Sequence, residues 1–159
     1  MREALFNLLG QRVVEARVLD AFSGSGALGL EAVSRGAAEV VFIESDRGVA
    51  GILEQNVNEL RVSDRCRIVR ADVLATLDGG AIGGPFDLVL ADPPYGTDLA
   101  ERFLERIAAG GWLSHGSWLV VEREADAPPA EPAPEGLGHL RSARYGDTRL
   151  DLFAVAPRT

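Results

Sequence analysis

Val18-Leu19-Asp20-Ala21-Phe22-Ser23-Gly24-Ser25-Gly26-Ala27-Leu28-Gly29 is the stretch on which the fold turns. Val18 to Phe22 is strand-like, and Gly24, Gly26 and Gly29 follow with G-x-G-x-x-G spacing. The segment they open, to about Arg35, carries Leu28, Leu30 and Val33 at helical spacing and ends at Gly36, a suitable C-cap. A strand, a glycine turn and a helix in that order let backbone N–H groups approach a polar ligand, because glycine has no Cβ to hold it off. Glu44 closes the next strand, Val40 to Ile43, and stands where a carboxylate can accept hydrogen bonds from ribose hydroxyls. A glycine turn made only for packing is the blander reading, and the strand-to-helix context argues against it.

The same alternation continues along the chain. Arg2 to Leu9 has the spacing of a short helix, and Asp46 to Leu60 that of a longer one. In the longer helix Asp46 is the N-cap candidate, and Val49, Ile52, Leu53, Val57 and Leu60 form the apolar face. Arg67 to Ala71 predicts a third strand, Phe86 to Ala91 a fourth, Asp98 to Ala108 a helix and Ser117 to Val121 a fifth strand. Such alternation implies a parallel sheet with helices on both faces. The end of the chain differs: Leu140 to Tyr145 and Thr148 to Val155 flank Gly146-Asp147 and predict an antiparallel hairpin that closes the sheet. Residues 125–138 carry Pro128, Pro129, Pro132 and Pro134 and predict an extended surface connection within a single domain spanning residues 1–159. The expected fold is therefore α/β and Rossmann-like, with a seven-stranded, mostly parallel sheet and a C-terminal antiparallel hairpin.

The fourth strand ends in Asp92-Pro93-Pro94-Tyr95. Proline has no N–H to continue a ladder, so the strand stops there, at the edge where open α/β sheets place their ligands. An exocyclic amine on a planar ring is a poor nucleophile because its lone pair is delocalised. The Asp92 carboxylate and the Pro93 carbonyl, accepting one N–H each, would localise that pair, and the Tyr95 ring could stack on the planar group. An ordinary proline turn beside a core tyrosine is the alternative for these four residues.

Two ligands suit the glycine turn. A dinucleotide is one, but Asp20 sets a carboxylate beside the turn, where it would repel a pyrophosphate and suit the ammonium of a methionine moiety. Asp72, expected to end the third strand, could accept from an adenine amino group. A nicotinamide enzyme also needs a second half or a substrate domain, for which 159 residues leave no room. S-adenosyl-L-methionine is the better fit.

Composition narrows the remaining choices. A net charge of −8, with arginine but no lysine, disfavours tight sequence-independent binding to bare nucleic acid. Arg141, Arg144, Arg149 and Arg158 could form a local basic edge, and Arg123 with Arg144 and Arg149 could meet phosphates, although solvated surface arginines are the commoner outcome. One cysteine, Cys66, permits no disulfide framework and points to a reducing, cytoplasmic compartment. It is more simply a small buried hydrophobe than a nucleophile. With His115 and His139 the only histidines, a metal site is not expected, nor is a membrane span. Trp112 and Trp118 are expected to pack against the sheet.

Taken together, Asp20 with its glycine turn, Glu44, Asp72 and Asp92-Pro93-Pro94-Tyr95 resemble Rossmann-like S-adenosylmethionine methyltransferases of planar amino nitrogens. More narrowly, Arg2-Glu3-Ala4-Leu5-Phe6-Asn7, Gly24 to Ala32 with Ser34-Arg35-Gly36-Ala37, and Tyr145-Gly146-Asp147-Thr148-Arg149-Leu150 resemble the RsmD family of bacterial 16S rRNA guanine-N2 methyltransferases. The resemblance implies cofactor contacts at Asp20, Phe22, Ser23, Gly24, Ser25, Gly26, Glu44, Ser45, Asp72, Val73 and Asp92. It implies catalytic positions at Asp92, Pro93, Pro94 and Tyr95, with direct transfer and neither metal nor covalent enzyme intermediate. The implied partner is 16S rRNA within an assembled or assembling 30S subunit, met by a monomer. An adenine-N6 methyltransferase of DNA or RNA, or a catalytically impaired cofactor-binding module, are the alternatives. Members of the family carry a basic N-terminal segment ahead of the Arg2 run. Met1 directly precedes Arg2 here, so either the chain is shortened or its start is assigned late, and RNA affinity is the property on which this bears.

Overall fold

The computed structural model describes residues 1–80 and 82–155. The chain runs α1 (Arg2–Leu9), β1 (Arg17–Ala21), α2 (Ala27–Ser34), β2 (Glu39–Ile43), α3 (Arg47–Glu59), β3 (Cys66–Val69), α4 (Val73–Gly79), β4 (Phe86–Ala91), α5 (Leu99–Ala109), β5 (Leu113–Glu124), β6 (Leu137–Tyr145) and β7 (Thr148–Val155). The seven strands form one sheet in the order β3-β2-β1-β4-β5-β7-β6, parallel from β3 to β5, with β7 antiparallel to both β5 and β6. The expected seven-stranded sheet with its closing hairpin is present.

The central strands are apolar because both of their faces are covered, as parallel sheets require. On β1, Val18 faces one layer and Leu19 the other, and both are fully buried. One layer joins Leu19, Val41, Val89 and Val121 to α4 and α5 through Leu74, Leu77, Phe103 and Ile107. The opposite layer joins Val18, Phe42, Leu88, Leu90 and Val120 to α1, α2 and α3 through Leu5, Phe6, Ala32, Val33, Leu53 and Val57. The sheet reverses its winding between β1 and β4, and a crevice opens at their carboxyl ends.

Several boundaries differ from the sequence expectation. The third strand ends at Val69 instead of Ala71, and Asp72 begins a helix, α4, that had no separate signal. Its side chain accepts the Ala75 N–H at 3.0 Å as an N-cap, so local helix capping outcompetes strand continuation. The fifth strand is longer than Ser117–Val121, because a register shift between Phe86 and Leu88 lets β5 begin at Leu113. The proline-rich connection is shorter than expected, since β6 starts at Leu137 and pairs with Val155.

Arg123 and Arg149, candidates for phosphate contacts, are engaged within the protein, and Arg158 lies outside the described residues. Arg123 is buried and paired with Glu101. Arg149 is held by Asp151 at 2.7 Å and by the carbonyls of Ala127 and Pro128, each at 2.8 Å, where it anchors the proline-rich connection to β7. Trp112 is buried and Trp118 lies partly buried under the Arg12 guanidinium. Burial pushes the Cys66 thiol up to about 11, which keeps it neutral and unreactive.

Candidate functional site

Three adjacent strands deliver three carboxyl groups to one face of the sheet. Side chains alternate along a strand, so Asp20 follows Val18 onto the α2 side, Asp92 follows Leu88 and Leu90, and Glu122 follows Val120. In the register Ala21 is level with Ala91 and Ala91 with Val121, so Asp92 and Glu122 leave their strands side by side. Asp20, Phe22, Ser23, Gly24, Ser25, Ala27, Leu28, Asp92 and Glu122 line one cavity of about 390 Å3, with Met1 and Arg2 of α1 at its edge. A second cleft lies under the proline-rich connection beside α5, away from these groups.

The glycine turn is shaped by packing as well as by openness. Gly24 has φ +57° with no atom within 4 Å of where a Cβ would stand, so it leaves the approach to the cavity clear. Gly29 is different: a Cβ there would come within 2.3 Å of Phe42 Cε1 and 2.9 Å of Asp20 Oδ2. This is the close helix-to-strand approach that the third glycine of such a motif permits. Phe22 holds φ +57°, an uncommon conformation for a bulky residue, while its ring meets the edge of Phe103 at 5.7 Å between centroids.

Asp20 is fully buried and accepts the Gly29 N–H at 2.9 Å, which ties β1 to the first turn of α2. Burial raises its pKa well above the ordinary value, opposed by the Gly29 hydrogen bond and reinforced by the charges of Asp92 and Glu44. Glu44 accepts the Gly24 N–H at 2.9 Å through Oε1 and the Asp46 N–H at 2.8 Å through Oε2. It therefore braces the glycine turn against the start of α3, and each oxygen keeps a lone pair for a ribose hydroxyl.

The structure thus gathers Asp20, Phe22, Ser23, Gly24, Ser25 and Asp92 around the cavity, with Glu44 one hydrogen bond away. Gly26, Ser45, Asp72, Val73, Pro93, Pro94 and Tyr95 lie outside its lining. Asp72 differs from its expected setting because its carboxyl caps α4, although the second oxygen is not used by that bond. Tyr95 is 46% exposed and not a core tyrosine. Its hydroxyl shares a hydrogen bond of 3.0 Å with Thr148 Oγ1 at the start of β7. Among the described residues no cluster of three or more metal-ligating side chains is found, and no helix is long and apolar enough to cross a membrane.

Glu122 is the residue that sequence reasoning passed over. It directly follows the expected end of the fifth strand, two positions beyond Val120, and that alternation was the available signal. Its carboxyl lines the same cavity as that of Asp92, level with it on the neighbouring strand, and the two interact electrostatically. Burial and the Asp92 charge push it up to about 7, and burial raises Asp92 as well.

A glycine turn at a strand end, a carboxylate that braces it from the next strand, and a carboxylate–Pro-Pro–aromatic tip across the switch point belong to one class. This is the class I S-adenosylmethionine-dependent methyltransferase fold, and S-adenosyl-L-methionine is the cofactor that these groups suit. The chain belongs to the RsmD family: the model described as "Conserved hypothetical protein 95" matches residues 1–154. The chain is 39% identical over 134 residues to Ribosomal RNA small subunit methyltransferase D of Escherichia coli strain K12, covering 84% of this chain and 66% of that protein. The chain thus spans just under two thirds of that relative's length. The solved structure of a putative methyltransferase, yhhF from Escherichia coli, superposes with a TM-score of 0.86 at 34% identity, over 99% of this chain and 85% of that one. The fold is shared with an RNA methyltransferase from Salinibacter ruber solved in complex with S-adenosyl-L-homocysteine, at a TM-score of 0.70, 18% identity and coverage of 99% and 91%.

Proposed function

We propose that this chain is an rRNA methyltransferase that transfers a methyl group from S-adenosyl-L-methionine to the exocyclic N2 amine of a guanine in 16S rRNA. The observation that carries the reading is the position of Asp92, which lies in the wall of the cavity formed by the glycine turn and begins the Asp92-Pro93-Pro94-Tyr95 tip. The Escherichia coli relative's name, with its small-subunit rRNA substrate, supports the substrate class.

When bound, S-adenosyl-L-methionine supplies an electrophilic methyl carried on a sulfonium. Gly24 and Ser25 leave backbone room for its methionine end, Asp20 sits beneath that turn, and Glu44 is placed for the ribose. Asp72 and Val73, at the start of α4, border the adenine end. A guanine turned out of its stack packs on Tyr95, while Asp92 and the Pro93 carbonyl each accept one N–H of its amine. Orientation of the amine supplies most of the acceleration. The acidic chain meets its guanine on the assembled or assembling 30S subunit, whose shape and proteins share in recognition. It works there as a monomeric single domain in the cytoplasm, without a metal.

The test is transfer of labelled methyl to undermethylated 30S subunits, naked 16S RNA and DNA, followed by nucleoside analysis. N2-methylguanosine from the subunits is the expected product. N6-methyladenosine from any of the three would overturn the guanine reading.

A further inference from the structure

We propose that Asp92 and Glu122 act as one unit: in the free protein a single proton is held between their carboxyl groups, the pair releases it when the sulfonium-bearing cofactor binds, and the pair takes up the proton shed by the acceptor amine on methylation. The proposal rests on the cofactor reading above and adds Glu122 to the reacting groups.

Geometry carries it first. The strand register sets the two carboxyls level and on the same side of the sheet, and both line one cavity. Two facing carboxyls, Asp92 exposed and Glu122 half-buried, repel each other when both are ionised, so a single proton shared between them is favoured where no cation stands beside them. Of the cations around them, the Met1 α-ammonium belongs to a residue of the cavity lining but makes no ion pair with either carboxyl among the described residues, and the others are engaged elsewhere. Asp20, on β1 and the same face, adds negative charge. Arg2 of α1 reaches the cavity edge but pairs with Glu31 at 3.5 Å. On β5 itself Arg123 points to Glu101 on the other side and Glu124 accepts the Gly96 N–H. On β7 and β6, Arg149 is held by Asp151 and Arg144 by the Gly146 carbonyl. Burial and mutual repulsion accordingly hold Glu122 at about 7, where it carries the shared proton.

The reaction then balances in charge. With the cofactor bound, one sulfonium faces two carboxylates. As the nitrogen–methyl bond forms, the carbon–sulfur bond breaks and its electron pair stays on sulfur, leaving a neutral thioether. The N–H proton passes to Asp92 and is shared with Glu122. Net charge in the cavity is the same before and after, so the transfer leaves no new unbalanced charge beside the two carboxyls. The re-protonated pair no longer favours a cation, which sets the protein to prefer the methyl donor over its neutral product.

Linkage gives the sign. A group that loses its proton on binding makes the ligand bind more tightly as pH rises toward its free-protein pKa. The experiment is calorimetric titration of the whole chain with S-adenosyl-L-methionine and with S-adenosyl-L-homocysteine, in buffers of different ionisation enthalpy. Between about pH 6 and about pH 8 the preference for the sulfonium ligand should grow about tenfold, with about one proton released per cofactor bound at the acid end. Taking the ratio of the two affinities cancels Asp20 and every group that meets the common methionine and adenosine parts. Glu122→Gln should make that ratio independent of pH, and Asp92→Asn, the second variant, should do the same. A wild-type ratio flat with pH, with both ligands bound, overturns the proposal and leaves the cofactor site standing. A slope that persists in Glu122→Gln also overturns it, and failure of the wild type to bind either ligand overturns the cofactor reading itself.

Discussion

The Tyr95 hydroxyl lies 3.0 Å from Thr148 Oγ1, a hydrogen bond between residues 53 apart in the chain. It ties the tip of β4 to the turn of the β6–β7 hairpin. Gly96 N–H, donating to Glu124 at 3.3 Å, adds a second tie from the same loop to β5. The exposed aromatic face is thus steadied by the closing hairpin, which gives the Tyr145-Gly146-Asp147-Thr148 turn a role in the site.

Thr148→Val keeps the shape of the side chain and removes the hydroxyl. An exposed hydrogen bond of this kind is modest, so methyl transfer should fall about three- to tenfold with cofactor affinity unchanged. Steady-state kinetics beside calorimetry separates the two. A fall in cofactor affinity equal to the fall in turnover would place Thr148's effect elsewhere.

Asp92→Ala removes the acceptor proposed for the amine. Turnover should drop on the order of 100-fold or more, while S-adenosyl-L-methionine still binds within about fivefold of wild type. Single-turnover transfer to 30S subunits gives the first quantity, and a fully active variant would end the assignment of Asp92.

Glu44→Ala strips the Gly24 and Asp46 N–H groups of their shared acceptor and removes the carboxylate placed for ribose. Cofactor affinity should fall about 10- to 100-fold, since a charge-assisted hydrogen bond to the ligand and the bracing of the turn go together. Unchanged calorimetric affinity would deny Glu44 the ribose.

Asp20 should show as a pH-dependent cost to stability. Its pKa is raised by burial, so the folded protein binds more protons than the unfolded chain above the ordinary aspartate value of 3.8. Stability therefore declines as pH rises from near 4 through the folded value, and Glu122, raised to about 7 from 4.5, adds a decline of the same sign up to neutrality. Asp20→Asn keeps an acceptor for Gly29 N–H and removes the charge. It should raise the melting temperature at neutral pH by a few degrees, roughly what 1 kcal/mol gives a domain of this size, and shallow the pH dependence. Thermal melts from acid to neutral pH check both.

The chain's local signals determined a good deal. Val18 to Ala21, Val40 to Ile43 and Phe86 to Ala91 are apolar runs interrupted only by Asp20 and Asp87, because strands covered on both faces leave little polar side. Gly24, Gly26 and Gly29 declared the turn, Asp46 its helix cap, and Pro93-Pro94 the end of β4, all through properties of single residues acting on their neighbours. Glu44 twenty positions after Gly24 was legible for the same reason, being spaced by one strand and one helix.

What only the tertiary structure decided is how distant carboxyl groups and loop tips meet. Asp92 and Glu122 are brought level by a strand register that includes an irregularity between Phe86 and Leu88, and Tyr95 meets Thr148 because β7 returns antiparallel beside β5. Asp72 left its expected strand for a helix cap, and Arg123 and Arg149, candidates for phosphate contacts, are instead engaged in ion pairs with Glu101 and Asp151. Register, burial and the field of neighbouring charges are sums over residues far apart in the chain, so no local pattern carries them.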